Sequence, residues 1–408
     1  MAGAGTTSRF GLSSKGCTKQ SHGEQAARSC VAANAPDTPS TQACAGEACW
    51  LLAPPVLEFD EIPSRTFLIA TGPQGHQSGP SMSISIRIYR YGGPEELVVD
   101  TLPDTPPGPG DIRIRHKAIG VNYTDVHARR GDYAESRALA APVVIGMEGM
   151  GVVEAVGAKV TRFAIGERVG YAALPLGSYC EERNFPADSC VALPEGIADQ
   201  VVAASLLKGM TVEYLIRRVY CVKPGDVVVF HAAAGGVGAI AGQWLKALGA
   251  EAVGIVGSPD KVELARANGY AHVFVHGRDD WPQRVRELTR GVGAPAVYDS
   301  VGKATWEGSL ACLRSRGWML CFGNSSGAVP PVSLSQIRAR SLRLTWTRLG
   351  DYTATVAELD ACAAVFFKML SSGTVSPHVQ QTFPLSRAAD AHRLIEGRGT
   401  RGSLVLIP

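Results

Sequence analysis

Val227-Val-Val-Phe-His-Ala-Ala-Ala-Gly-Gly-Val-Gly238, running on through residues 239–248, decides the fold of this chain. The β-branched run at 227–229 suits a strand covered on both faces. Val237, Ile240, Ala241, Trp244, Leu245 and Leu248 then recur at helical spacing before a Gly249 stop. A buried strand entering a glycine turn and then a helix is the layout in which backbone N–H groups hold a diphosphate. Ala233 takes the first position of G-x-G-x-x-G, while Gly235 and Gly238 keep the second and third. Gly235 lets the backbone approach a pyrophosphate, and Gly238 lets the helix lie close to the strand. A glycine turn that serves packing alone is the competing reading.

The following unit argues against that reading. A second apolar run, 251–256, ends in Gly257-Ser-Pro-Asp-Lys261, roughly 20 residues beyond the turn, where the ribose contact falls. An NAD site puts Asp or Glu at the end of that strand. Gly257 and Ser258 leave room for a 2′-phosphate instead, the hydroxyl can donate to it, and the Lys261 ammonium can neutralise it. These residues favour NADPH, with Asp260 as the contrary sign and an ordinary surface lysine as the bland alternative for Lys261.

The 408 residues suffice for two domains with real cores, and 45% hydrophobic with 19% charged residues is a globular balance. A net charge of +3 with no block of like charge gives no footprint for nucleic acid. The ten cysteines include no C-x-x-C pair, which excludes a zinc knot or a secreted disulfide framework and favours a reducing compartment. The apolar stretch 50–57 is broken by Pro54-Pro55 and is too short to span a bilayer.

Residues 1–82 read as a disordered extension and a candidate organelle-targeting segment, so the expected location is the cytoplasm or, if the segment is a transit peptide, a plastid or mitochondrion. From 83 to 204 short strands dominate: 84–89, 97–99, and Asp111-Ile-Arg-Ile-Arg-His-Lys-Ala-Ile119 with period-two alternation. From 205 to 345 helices and strands alternate: helix 206–219, strand 227–230, helix 237–248, strand 252–256, helix 259–267, strand 271–275, helix 281–290, strand 296–300, helix 304–315 and strand 317–322. Such alternation predicts an α/β domain with a doubly wound parallel sheet. Within 346–408, a helix at 355–371 and a strand at 403–407 are expected to return to the first domain.

Six words in order, Tyr91-Gly-Gly-Pro-Glu95, Ala118-Ile-Gly-Val-Asn122, Leu207-Lys-Gly-Met-Thr211, His231-Ala-Ala-Ala-Gly-Gly-Val-Gly238, Tyr298-Asp-Ser-Val-Gly302 and Phe322-Gly-Asn-Ser-Ser-Gly327, carry a resemblance that covers residues 84–408. The chain resembles the zinc-free quinone oxidoreductases of the medium-chain dehydrogenase/reductase superfamily, the ζ-crystallin-like group. The resemblance implies a Rossmann domain inserted in a β-rich, GroES-like catalytic domain, NADPH in the cleft, and a homodimer. It places Asn122 near the nicotinamide, Lys208 and Tyr214 along the cofactor groove, and Gly235, Gly236 and Val237 at the diphosphate. Gly257, Ser258 and Lys261 would meet the adenosine phosphate, with Val301 and Phe322, Gly323, Asn324 and Ser325 flanking the dinucleotide and Arg398 closing the far side. The chain departs from the family at His276, which stands where Tyr often meets adenine, at Trp346-Thr347, which replaces Arg-Pro near the nicotinamide, and at His127, which replaces an aromatic residue.

Zinc relatives offer a Cys and a His as catalytic ligands; Tyr123 and Met147 hold those places, so no metal is expected. Glu148 reads as a buried structural carboxylate rather than a catalytic one. Without a Lewis acid the acceptor must be electron-poor, which points to small quinones, with activated alkenes (alkenals and enones) as the alternative. Asn122 and Tyr133 are the candidate catalytic residues, read more as positioning groups than as acids, and Cys180 and Cys190 lack a basic neighbour that would make a thiolate. A weakly catalytic, crystallin-like NADPH-binding protein is the reading from another class.

Overall fold

The computed structural model describes residues 82–132, 141–397 and 399–408. Apart from Met82, the N-terminal extension lies outside the described residues, as do Tyr133 and Arg398.

The first half is built from β1 (Met82–Ile88), β2 (Val98–Pro103), β3 (Asp111–Val121), α1 (Tyr123–Arg130), β4 (Val143–Val144), β5 (Glu148–Val156), β6 (Arg168–Ala172), β7 (Glu182–Pro186) and β8 (Val191–Ala192). The alternation in β3 does what it predicts: Ile112 and Ile114 enter a core with Val169, Tyr171 and Phe185, while Arg113 and Arg115 point away from it. A separate core joins Ile86 and Ile88 to Ile119, Leu404 and Leu406.

Helix α2 (Asp199–Tyr214) leads into the parallel sheet. Its members in chain order are β9 (Val227–His231), α3 (Gly236–Ala247), β10 (Glu251–Val256), α4 (Val262–Ala267), β11 (His272–Val275), α5 (Trp281–Leu288), β12 (Ala294–Asp299), α6 (Trp306–Cys312), β13 (Leu313–Cys321), α7 (Leu334–Arg338) and β14 (Arg343–Trp346). Alternate residues of β9 supply two cores. Val228 and Phe230 face Trp244 and Leu245 of α3, and Val229 faces Val253, Val297, Met319 and Trp306 on the other side. Each such burial contributes about 1.5–3 kcal/mol, which is why a strand without polar alternation forms here.

The spatial order is β11-β10-β9-β12-β13-β14. The chain therefore winds outward from β9 in one direction, then returns past it to β12 and winds outward in the other. The reversal leaves a crevice at the carboxyl ends of β9 and β12, where ligands of open α/β sheets bind.

The remainder comprises α8 (Leu349–Tyr352), α9 (Val356–Ser371), β15 (Val379–Pro384), α10 (Ala388–Glu396) and β16 (Ser403–Ile407). β16 pairs with β3 and so rejoins the first half. Helix α9 also reaches the first half, through the ion pair of Asp360 with Arg162 at 2.9 Å. Its Leu359, Cys362 and Phe366 share a core with Val191, Val202, Met210 and Trp244, so it packs on α2 and α3 as well as on β8.

Several expected boundaries shift. Helix α2 begins at Asp199 instead of 206, and the division at 204–205 falls inside it. Helix α6 stops at Cys312, and β13 starts at once with an irregular pairing between Ala294 and Ala296. Arg316, at φ 60° in the left-handed region, marks that irregularity. Strand β14 was missed because its burial shows no alternation: Arg343, Leu344 and Trp346 are all exposed.

Candidate active site

The glycine turn joins β9 to α3, with Gly235 as the N-cap in extended backbone and no side chain capping the helix. The first-turn N–H groups have no intrahelical partner, and they open onto the crevice with no acid among them. A Cβ on Gly236 would come within 2.8 Å of the Lys208 stem, and one on Gly238 within 2.4 Å of the Ala232 carbonyl. The glycines therefore let α3 lie on β9 and bring Lys208 of α2 over the turn. A diphosphate on those N–H groups would have the lysine beside it, so the donor set suits a dinucleotide.

Behind this edge lies Glu148, fully buried at the start of β5. Asn122 Nδ2 donates to its Oε2 at 2.7 Å, the Leu207 N–H donates to Oε1 at 2.7 Å, and Lys208 Nζ reaches Oε2 at 3.5 Å. The reading of Glu148 as a hydrogen-bonded structural carboxylate is what the geometry displays. Gly120 makes the space: a Cβ there would sit 2.2 Å from Glu148 Oε2. One carboxylate thus fixes both Asn122 and Lys208.

Asn122 caps α1, and its N–H donates at 2.8 Å to Asp125 Oδ2. Asp125 also accepts from Tyr179 Oη at 3.1 Å, while its Oδ1 is buried without a hydrogen-bond partner. Burial pushes the Asp125 carboxyl up to about 7. Tyr179 in turn meets His392 at 3.0 Å, and Arg129 bonds to His392 and Glu396. α1 is therefore tied to α10 by a buried polar chain.

The remaining candidates lie at the carboxyl ends of the parallel strands. Gly257, Ser258 and Lys261 follow β10, Val301 follows β12, and Phe322, Gly323, Asn324 and Ser325 follow β13. Tyr123 Oη reaches the Ser325 carbonyl at 3.5 Å, linking α1 to that loop. His276, half-buried after β11, meets Trp281 Nε1 at 3.4 Å.

Two expectations change. Tyr214 is only 1% exposed, stacks on Tyr352 at 4.5 Å and meets Thr347 Oγ1 at 3.2 Å, so its ring backs the wall instead of lining an open groove. Trp346 is 46% exposed at the end of the edge strand, and it is Thr347 that turns inward. His127 is buried, bonded through Nδ1 to Asp132 at 2.7 Å and set edge-on to Tyr123. Burial pushes the thiols of Cys180 and Cys190 up to about 12, so neither is a thiolate near neutrality.

Asp299 lies within the word Tyr298-Asp-Ser-Val-Gly302, which does not by itself disclose what the carboxylate holds. Its Oδ1 accepts from the N–H groups of Val301 at 2.8 Å and Gly302 at 3.0 Å, and its Oδ2 from Thr305 Oγ1 at 2.7 Å and Ser309 Oγ at 2.9 Å. Burial opposes its ionisation, but the charge of His231 when that ring is protonated, together with these donors, outweighs it and holds the carboxyl below the usual range. Since Ser309 gives its only proton to Asp299, His231 must donate from Nε2 to Ser309 Oγ at 2.8 Å, leaving its Nδ1 unpartnered. The unit ties the end of β9 to the turn after β12. An aspartate followed by a glycine after a strand is a turn signature, and that was the available signal.

Residues 108–223 match the alcohol dehydrogenase GroES-like domain, and residues 236–364 match the zinc-binding dehydrogenase family. Among the described residues no group of three or more His, Cys, Asp or Glu is placed to hold a metal ion. A GroES-like β half, a parallel sheet with a glycine turn at its switch point and a crevice between them define the class, a medium-chain dehydrogenase/reductase. A quinone oxidoreductase of Pseudomonas aeruginosa is 44% identical over 328 residues, 80% of this chain and 100% of that protein, and a 2-haloacrylate reductase of a Burkholderia species is 40% identical over 80% of this chain and 99% of that one. The crystal structure of Escherichia coli quinone oxidoreductase complexed with NADPH is similar with a TM-score of 0.77 at 41% identity, covering 80% of this chain and 100% of that chain. The chain belongs to the zinc-free quinone oxidoreductases of that superfamily.

Proposed function

We infer that this protein is an NADPH-dependent quinone reductase. The observation that carries the reading is the crevice at the ends of β9 and β12, with uncapped helix N–H groups at one point and no acid closing β10 at the next. Bound NADPH supplies the reducing equivalent, as a hydride or as single electrons, and the chain's own residues do the rest. Lys208 and the N-terminus of α3 hold the diphosphate, Ser258 and Lys261 the 2′-phosphate, and the loops at Val301 and at residues 322–325 flank the dinucleotide. Glu148 fixes the Asn122 amide, which orients the acceptor or the carboxamide end of the cofactor. Tyr133 positions the acceptor, Gly257 lies at the adenosine phosphate, His276 at the adenine, and Arg398 closes the far side.

Stopped-flow loss of NADPH absorbance on mixing with small quinones is the test. Turnover is expected, and no oxidation with any quinone at saturating NADPH would end the reading. The relative named 2-haloacrylate reductase favours a second acceptor class, activated alkenes, which a comparison of kcat/KM on quinones and on enones separates.

A homodimer formed through β14 belongs to the same proposal. That strand is an edge of the sheet, with Leu344 39% and Trp346 46% exposed. No helix among the described residues is long and apolar enough to cross a membrane. We place the protein in a reducing compartment, the cytoplasm or an organelle.

A further inference from the structure

The segment 401–403 runs along the cofactor crevice from one phosphate region to the other. At one end, Ser403 Oγ lies 3.2 Å from where a Cβ on Gly236 would be, beside the diphosphate turn. At the other, Arg401 Nη2 donates to Asp260 Oδ2 at 3.1 Å, within the turn Pro259–Lys261 that follows Ser258. The backbone between is anchored on β15 and the residue before it: Ser403 N–H donates to the His378 carbonyl at 2.9 Å, and the Arg401 N–H donates to Gln380 Oε1. The Arg401 side chain is largely exposed, with 60% of its surface accessible against 52% for Asp260.

This arrangement offsets the contrary sign in the sequence, because the acid brings a cation with it. An acid after β10 would normally accept the ribose hydroxyls and repel a 2′-phosphate. Asp260 is instead occupied, with Ser258 first and Arg401 after it holding its carboxyl below the usual range. An exposed ion pair is cheap to exchange. A phosphate monoester offers a guanidinium more charge and three acceptor oxygens in a geometry that matches its fork.

We propose that Arg401 is a specificity-determining residue: it turns from Asp260 to the 2′-phosphate of NADPH, joining Ser258 and Lys261, and rests on Asp260 when that phosphate is absent. The inference rests on the NADPH reading above and adds a residue from the strand that carries the chain back to the first half. Nothing in the local sequence around β10 could have indicated it.

The test is calorimetric titration of the full chain with NADPH, NADH and 2′,5′-ADP, for wild type, Arg401→Ala, Asp260→Asn and the double variant, each checked by its melting temperature. Arg401→Ala should weaken NADPH and 2′,5′-ADP about tenfold and NADH less than twofold. Asp260→Asn should tighten 2′,5′-ADP about threefold, and by less in the Arg401→Ala background, where it lifts the like-charge repulsion but no competing ion pair. A wild type that prefers NADPH together with an Arg401→Ala variant that keeps the same NADPH/NADH ratio would overturn this proposal alone. A wild type that does not distinguish the two cofactors would overturn the NADPH reading as well.

Discussion

Asp125 shows how a single buried group can set a pH dependence. Its carboxyl titrates near 7 in the folded chain because of burial, against about 3.8 when exposed. The folded state therefore holds the proton more tightly, and the stability contributed by the neutral carboxyl is full below pH about 4 and is lost as pH rises through about 7. His116 and His392 act with the opposite sign, because burial lowers them to about 4 and about 3, so their contribution falls as pH drops below 6.5. Comparing melting temperatures of wild type and Asp125→Asn from pH 4 to 8 isolates the first effect: the variant should gain on wild type as pH rises, and a constant difference would refute the assignment. In the sequence Asp125 is merely the third residue after Asn122. That Tyr179 and His392 enclose it was hidden, because those partners lie far along the chain.

At the scale of elements, α9 is the instructive case. Its helical periodicity was plain in the sequence, and its capping Thr355 with Glu358 is the box that such a start calls for. What it lies against was not plain, since an apolar stripe says only that some surface must cover it. The decision was made by Gly209 of α2, where a Cβ would come within 2.1 Å of the Phe366 ring. Gly209→Ala should therefore destabilise the protein in spite of the better helix propensity of alanine. A loss of about 1–3 kcal/mol from overpacking is expected in urea unfolding, and a gain would show that α9 can shift freely. The short strand β14 was invisible for the complementary reason, that an exposed edge leaves no burial pattern to read.

For the whole molecule, the cofactor should act as a bolt between the two halves, because the residues proposed to face it come from α1, α2, the ends of the parallel strands and the start of β16. NADPH at about 100 times its Kd should stabilise the fold by about 2.7 kcal/mol, seen as a rise in melting temperature that 5′-AMP does not match. Absence of any rise would mean that the crevice does not hold the dinucleotide. The sequence alone determined the parallel sheet and the glycine turn at its switch point, and raised the expectation of a phosphorylated cofactor, because each depends on residues within about 30 positions of one another and on local backbone rules. Only the tertiary structure decided that Glu148 holds Asn122 and Lys208 together, that Asp299 locks the turn after β12, and that Arg401 stands over Asp260. Those contacts join segments from different elements, and a buried charge or a free guanidinium reveals its partner only when the chain has closed around it.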